Sequence, residues 1–235
     1  MKDIFGKAIL DYHQGKATED IYTETNISEE DILPLSYLFR SYDQMPLIEQ
    51  VALDACVGKI LDVGCGAGSH ALYLQQKNMD VVAIDTSQGA IKTAKLRGVS
   101  NAQCVALMDF REGSFDTILM LMNGAGLLGP VNSVVENLTA LKPLLSEQGQ
   151  LLVDSSDLIY MYDQTDEGGV IVPADRYYGE LDFKVSYMGE EDDPFTWLYI
   201  DPKLFEHLAE EAGYSFEIIA EGPNYDFLAR LTPNL

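Results

Sequence analysis

Along the chain, short apolar runs alternate with longer segments of helical spacing. "KILDV" (59–63), "DVVAID" (80–85), "AQCVAL" (102–107), "FDTILMLM" (115–122) and "GQLLVDS" (149–155) are apolar on both faces, as buried parallel strands are. Between them, "SHALYLQQKN", "SQGAIKTAKLRG" and "PVNSVVENLTALKPLL" carry helical spacing. Ser87 suits an N-cap and Gly98 a C-terminal stop for the second of these helices. Strand, helix, strand in this rhythm predicts a parallel sheet covered by helices.

The two ends of the chain differ from this middle. At the start, "GKATEDIYTETNISEED" is polar and acidic and is expected to be loop or frayed helix. Apolar spacing then predicts a helix from Pro46 to Ala55, with proline at its first position. In the last third, "RYYGELDFKVSYMG" and "PFTWLYID" predict two paired strands joined by the acidic turn "EEDDP". A helix follows, capped by Asp201, opened by Pro202 and stopped by Gly213, before two closing strands, "YSFEIIAEG" and "YDFLARLTP". The expected division is an N-terminal helical or lid segment, 1–56, and a main domain, 57–235, with an aromatic hairpin inserted at about 170–200.

Candidate chemistry begins at "ILDVGCGAGSHAL", 60–72. Gly64, Gly66 and Gly68 lie between a strand and a helix, where backbone N–H groups are expected to point into a cleft at the helix N-terminus. The ligand-free alternative is a tight strand-to-helix turn. The next strand ends in Asp85, about 20 residues on, where a carboxylate accepts from both hydroxyls of a ribose; capping the following helix is its alternative role. The spacing is GxGxG, and Ser69 stands where a dinucleotide fingerprint needs its last glycine. Asp62, two residues before Gly64, disfavours a pyrophosphate and favours an ammonium or sulfonium group. Asp109, beside Met108 and Phe110, suits an adenine amino group with apolar cover, or is a solvated loop acid.

Composition narrows the partners. Fifteen basic against 38 acidic side chains give a net charge of −23, which repels phosphate backbones and anionic lipid. Nucleic acid and membrane are therefore not expected as partners, and a small molecule is. The three cysteines, Cys56, Cys65 and Cys104, have no CxxC pairing, so neither a disulfide framework nor a metal site is expected. The N-terminus carries no secretory pattern, and the expected location is the cytoplasm.

Taken in order, "ILDVGCGAG", "VVAID", "LMDF", "FDTILMLMN" and "LLSEQGQLLVD" resemble the motif set of class I S-adenosylmethionine-dependent methyltransferases, over about Ile60 to Asp154. With "FRSYDQMPLIEQVALDAC" and "VDSSD", the chain resembles a bacterial small-molecule branch of that family. The resemblance implies a doubly wound, Rossmann-like α/β fold. Its sheet would have seven strands, the last antiparallel, and here a hairpin inserted after the fifth. It implies S-adenosyl-L-methionine as cofactor, held by Asp62, Gly64, Cys65, Gly66, Gly68, Asp85, Thr86, Met108, Asp109 and Asn123. One departure is "LMNGAGLLG", which keeps Asn123 but lacks the Pro-Pro-aromatic signature of enzymes that methylate amide or base nitrogens.

Methyl transfer from a sulfonium is an in-line displacement that needs a base only if the nucleophile arrives protonated. Asp154, Asp157 and His70 are the candidate bases, each with a structural alternative in capping or packing. Tyr177, Tyr178, Tyr187, Trp197 and Tyr199 suit core, interface or substrate cage, and a homodimer is compatible with that aromatic face. Two competing functions are an NAD-dependent oxidoreductase and a non-catalytic nucleoside-binding or assembly protein.

Overall fold

The computed structural model describes residues 2–234. The alternating middle of the chain forms a seven-stranded sheet. Its parallel strands are β3 (Lys59–Val63), β4 (Asp80–Asp85), β5 (Ala102–Cys104), β6 (Phe115–Met120) and β7 (Leu145–Ser156). Strands β11 (Tyr214–Glu221) and β12 (Asp226–Pro233) complete it in the order β11-β12-β7-β6-β3-β4-β5. The last strand, β12, runs antiparallel to both neighbours. Helices cover both faces: α2 (Leu47–Asp54), α3 (Ser69–Gln76) and α4 (Gln88–Arg97) on one side, α5 (Val134–Leu141) and α6 (Pro202–Glu211) on the other. No helix among the described residues is long and apolar enough to cross a membrane.

The local reasons are the expected ones for α4 and α6. The Ser87 side chain accepts from the Ala90 N–H, and Gly98 closes α4 in the left-handed region. Asp201 accepts from the N–H groups of Lys203 and Leu204 at the start of α6. Helix α2 starts one residue later than predicted, with Pro46 at the flanking extended position. Two strands are shorter than their apolar runs: β5 ends at Cys104 and β6 at Met120, where the chain turns over the carboxyl edge of the sheet.

The N-terminal segment departs most from expectation. Helix α1 (Ile4–His13) is followed by strands β1 (Ile21–Thr25) and β2 (Ser28–Leu33), not by loop or frayed helix. Strand β8 (Glu180–Tyr187) of the insertion pairs with both β10 (Phe195–Leu198) and β1. With β9 (Glu190–Glu191) these make a five-stranded antiparallel sheet, so the predicted hairpin is part of a larger layer closed by the N-terminus. Its small core is Ile4, Ala8, Ile21, Leu35, Val185 and Tyr187. Strand β2 is its acidic outer edge, "SEEDIL", a composition that discourages pairing with another chain.

Helix α1 is fixed to α4 by one carboxylate. Asp3 Oδ1 accepts from Gly6 N at 3.0 Å and Oδ2 from Gly89 N at 2.9 Å, so it caps both helices. The two glycines touch: a Cβ on Gly89 would lie 2.3 Å from the Gly6 carbonyl oxygen.

Candidate functional site

The strand ends β3, β4, β6 and β7 meet at one edge of the sheet, where open α/β sheets bind ligands. The glycine loop follows β3. Gly64, Gly66 and Gly68 have φ of +70°, +51° and +82°, a region other residues occupy only with strain. Its N–H groups do not open into a cleft as the sequence suggested. Gly64 and Cys65 donate to the Ile84 carbonyl at 2.9 and 3.1 Å, Gly66 donates to Asp85 Oδ2 at 2.9 Å, and Gly68 donates to the Cys65 carbonyl at 2.8 Å. Those donors are used inside the fold, so the loop supplies shape rather than an anion cradle. That disfavours a pyrophosphate. Above Gly66 nothing lies within 4 Å of a hypothetical Cβ, which leaves room for a ligand to approach the backbone.

Asp85 braces this loop and also accepts from Ser87 N at 2.8 Å, so it stands between the glycine loop and the start of α4. Burial pushes its carboxyl above the usual range, against the N–H groups that hold it down. Asp62 is buried beneath the loop, and its Oδ2 has no hydrogen-bond partner. Burial pushes Asp62 up to about 6. A buried acceptor without a donor, set under an open glycine turn, fits the ammonium of an amino-acid end. Thr86 and Asp109 are exposed at the next two strand ends, and Met108 is half-buried against the core. Cys65 is buried, and burial raises its thiol far above the ordinary value, so it is no nucleophile.

The candidate bases are all engaged. His70, in the first turn of α3, is buried and pairs through Nε2 with Glu49 Oε2 at 2.7 Å. Glu49 in turn holds Arg40, whose guanidinium lies 3.9 Å from the centre of the Tyr37 ring and also donates to the Tyr37 carbonyl. Burial opposes ionisation of Glu49, but His70 and Arg40 outweigh it and hold the carboxyl below the usual range. Nothing in the sequence pattern joined these three, although Glu49 stands out between Ile48 and Ala52 in α2. Asp157 accepts from Ile159 N at 2.9 Å and from the Tyr178 hydroxyl at 2.8 Å. Asp154 accepts from Met122 N and Gly124 N.

Of the aromatic set, Tyr187 is core, and Tyr177 bonds Asp201 at the start of α6. Trp197 donates through Nε1 to the Asn123 carbonyl at 3.1 Å, and burial pushes the Tyr199 hydroxyl up to about 12. The Asn123 side chain bonds Leu198 and Ser155, joining β10 to β7. Segment 37–40 crosses the glycine loop: Ser69 Oγ donates to the Leu38 carbonyl at 3.0 Å, and Arg97 donates to Ala67 and Phe39 carbonyls.

This strand order, with an antiparallel last strand and a glycine loop bracketed by Asp62 and Asp85, defines the class I methyltransferase sheet. Residues 61–153 match the family model described as methyltransferase domain. The chain is 42% identical to a SAM-dependent methyltransferase from Bacteroides fragilis, whose crystal structure holds S-adenosyl-L-homocysteine. The match covers 100% of this chain and 96% of that one, with a TM-score of 0.92. The chain thus belongs to the class I S-adenosylmethionine-dependent methyltransferases, and its cofactor is S-adenosyl-L-methionine. "Putative methyltransferase YqeM" of Bacillus subtilis (strain 168) is 31% identical over 41% of this chain, and the match spans 42% of that protein, less than half its length. The CcbJ methyltransferase of Streptomyces caelestis, 13% identical, covers 83% of this chain and 95% of its own with a TM-score of 0.63, and shows the fold alone.

Proposed function

We propose that this chain transfers a methyl group from S-adenosyl-L-methionine to a small-molecule acceptor at the mouth between the glycine loop and the second sheet. The observation that carries the acceptor class is the fate of the arginines beside the site. Arg40 is buried against Glu49 and Tyr37, and Arg97 is bonded to loop carbonyls and lies 4.7 Å from the centre of the Phe39 ring. Neither arginine is free to line a groove for a phosphate chain, and the net charge of −23 opposes one. The surroundings are instead apolar and aromatic: Tyr37 and Met122 are partly exposed, Trp197 bonds the Asn123 carbonyl, and Asp154 accepts from Met122 N.

Bound S-adenosylmethionine supplies an electrophilic methyl on sulfur. The chain's own part is placement and shelter. Asp62 and the open Gly66 turn hold the amino-acid end, Asp85 holds the ribose, and Met108 with Asp109 serves the adenine edge. Segment 37–40 and the inserted sheet cover the mouth and exclude water, which aids a displacement that depends on alignment.

Calorimetry with S-adenosylhomocysteine, followed by transfer of labelled methyl to a panel of small amines, phenols, thiols and carboxylates, tests this reading. Binding and transfer to one class are expected. Absence of binding, or transfer only to nucleic acid or protein, overturns it.

A further inference from the structure

Two successive residues after β6 sit where L-amino acids rarely go. Met122 has a φ of +65° and Asn123 a φ of +60°. Such conformations persist only where the surroundings over-determine them. Here the surroundings are explicit. Asp154, on the adjacent strand β7, accepts from Met122 N at 3.1 Å and from Gly124 N at 2.7 Å. Asn123 is held at three points: Nδ2 donates to the Leu198 carbonyl at 2.9 Å, Oδ1 accepts from Ser155 Oγ at 3.1 Å, and its carbonyl accepts from Trp197 Nε1 at 3.1 Å. Ser155 Oγ also accepts from Ile200 N at 2.9 Å. Gly126 lies flat against Trp197, where a Cβ would fall 2.1 Å from the indole.

We propose that Asp154 is a positioning residue: by taking the Met122 and Gly124 N–H groups it staples the turn in its left-handed form, and the turn sets where Trp197 and the second sheet meet the mouth of the site. Only the identity of what enters that mouth rests on the function proposed above. A carboxylate is suited to this task because both of its oxygens accept. An asparagine offers one acceptor and would set an amino group against the other N–H. With both oxygens engaged by backbone donors, Asp154 is poorly placed to carry a proton for the acceptor. The charged and titratable groups facing it are Glu49 from α2, His70 from α3, and Tyr37 and Tyr199 from the covering segments. Burial pushes its own carboxyl up to about 6, against the N–H donors that hold it down.

Trp197 is the sole tryptophan and bonds the stapled turn, so its fluorescence reports the turn directly. In the full chain, emission is expected to shift as pH falls through about 6, because protonation converts an Asp154 oxygen from acceptor to donor. That titration needs no variant. In Asp154→Asn, with folding checked by circular dichroism, the shift is lost and emission stays displaced at every pH. Met122→Gly relieves the left-handed strain at that residue, leaving Asn123 as it is, so Asp154→Asn should lower the Tm less in the Met122→Gly background than alone. Constant emission in the folded wild type overturns the proposal. So does a titration that survives in Asp154→Asn, or equal Tm losses in the two backgrounds. S-adenosylhomocysteine binding by the wild type is measured on the same samples. Its failure sinks the cofactor reading and leaves the emission and melting results to judge the staple.

Discussion

The two walls of the site are built by opposite means. The glycine-loop wall is backbone: consecutive residues of β3, the loop and α3 fold against β4 through short-range geometry. The rest is built from side chains in two clusters, Arg40 with Glu49 and His70 beside the loop, and Asn123 and Asp154 with Trp197 across from β6, each drawn from separate elements that meet only in the folded state. A backbone wall tolerates little change of shape but carries little charge. A side-chain wall can be retuned residue by residue, and it carries most of the buried ionic and hydrogen-bonded linkages of the site.

The largest break in this comparison comes at Glu49, which ties the side-chain wall to α3 through His70. Glu49→Ala leaves the buried Arg40 charge unpaired and is expected to cost about 3–5 kcal/mol in denaturant unfolding. An effect below about 1 kcal/mol, the range of a surface ion pair, would mean that solvent reaches Arg40.

The backbone wall has one buried charge of its own, Asp62. Its folded pKa of about 6 lies above the ordinary 3.8, so its protonated form is the one the fold favours. Its contribution is fully present below about pH 4 and is lost as pH rises through about 6, by about 3 kcal/mol at the linkage rate of about 1.4 kcal/mol per unit. Comparing unfolding free energies of wild type and Asp62→Asn across that range checks it: the variant lacks this slope. With the amino-acid end placed at Asp62 as proposed above, added S-adenosylhomocysteine is expected to reduce the loss.

Within the loop, two glycines should separate stability from binding. A Cβ on Gly68 would lie 2.7 Å from Val99 Cγ2, so Gly68→Ala is expected to lower stability by about 1–3 kcal/mol for the clash, on top of the left-handed penalty that its φ of +82° shares with Gly66. At Gly66 a Cβ meets nothing, and Gly66→Ala costs the fold only the left-handed penalty of about 1–2 kcal/mol. On the placement proposed above its methyl enters the open space the ligand would take, so calorimetry should show a loss of S-adenosylhomocysteine affinity larger than Gly68→Ala gives. Equal affinity losses would place the ligand elsewhere. Last comes Trp197→Phe, which removes the hydrogen bond to Asn123, worth about 0.5–1.5 kcal/mol in thermal unfolding, together with the part of the indole packed on Gly126.

The same division explains what could be read from the chain alone. Strands β3 and β4, the Ser87 cap, the Gly98 stop and the Gly64–Gly68 turn are all set by neighbours in sequence. The destination of the loop's N–H groups was not legible, because it depends on Ile84 and Asp85 lying alongside. Strands β1 and β2 were hidden by acidity. Their one signal, the period-two Ile21, Thr23, Thr25, gains meaning only when β8 arrives from the far end of the chain to pair with it. Asn123 stood out in sequence for its place after β6. Its role as a joint between β10 and β7 required knowing that Leu198 and Ser155 flank it. Glu49 carried no motif at all, since its partners Arg40 and His70 lie on different elements.

Asp3 gives the N-terminal helix a kinetic consequence. One carboxylate closes the first turns of both α1 and α4, and the glycine contact beneath it leaves no slack for sliding. Helix α1 therefore cannot swing out without fraying the start of α4, the turn that follows Asp85. In hydrogen exchange, the first turns of α1 and α4 should open as one unit at a shared rate.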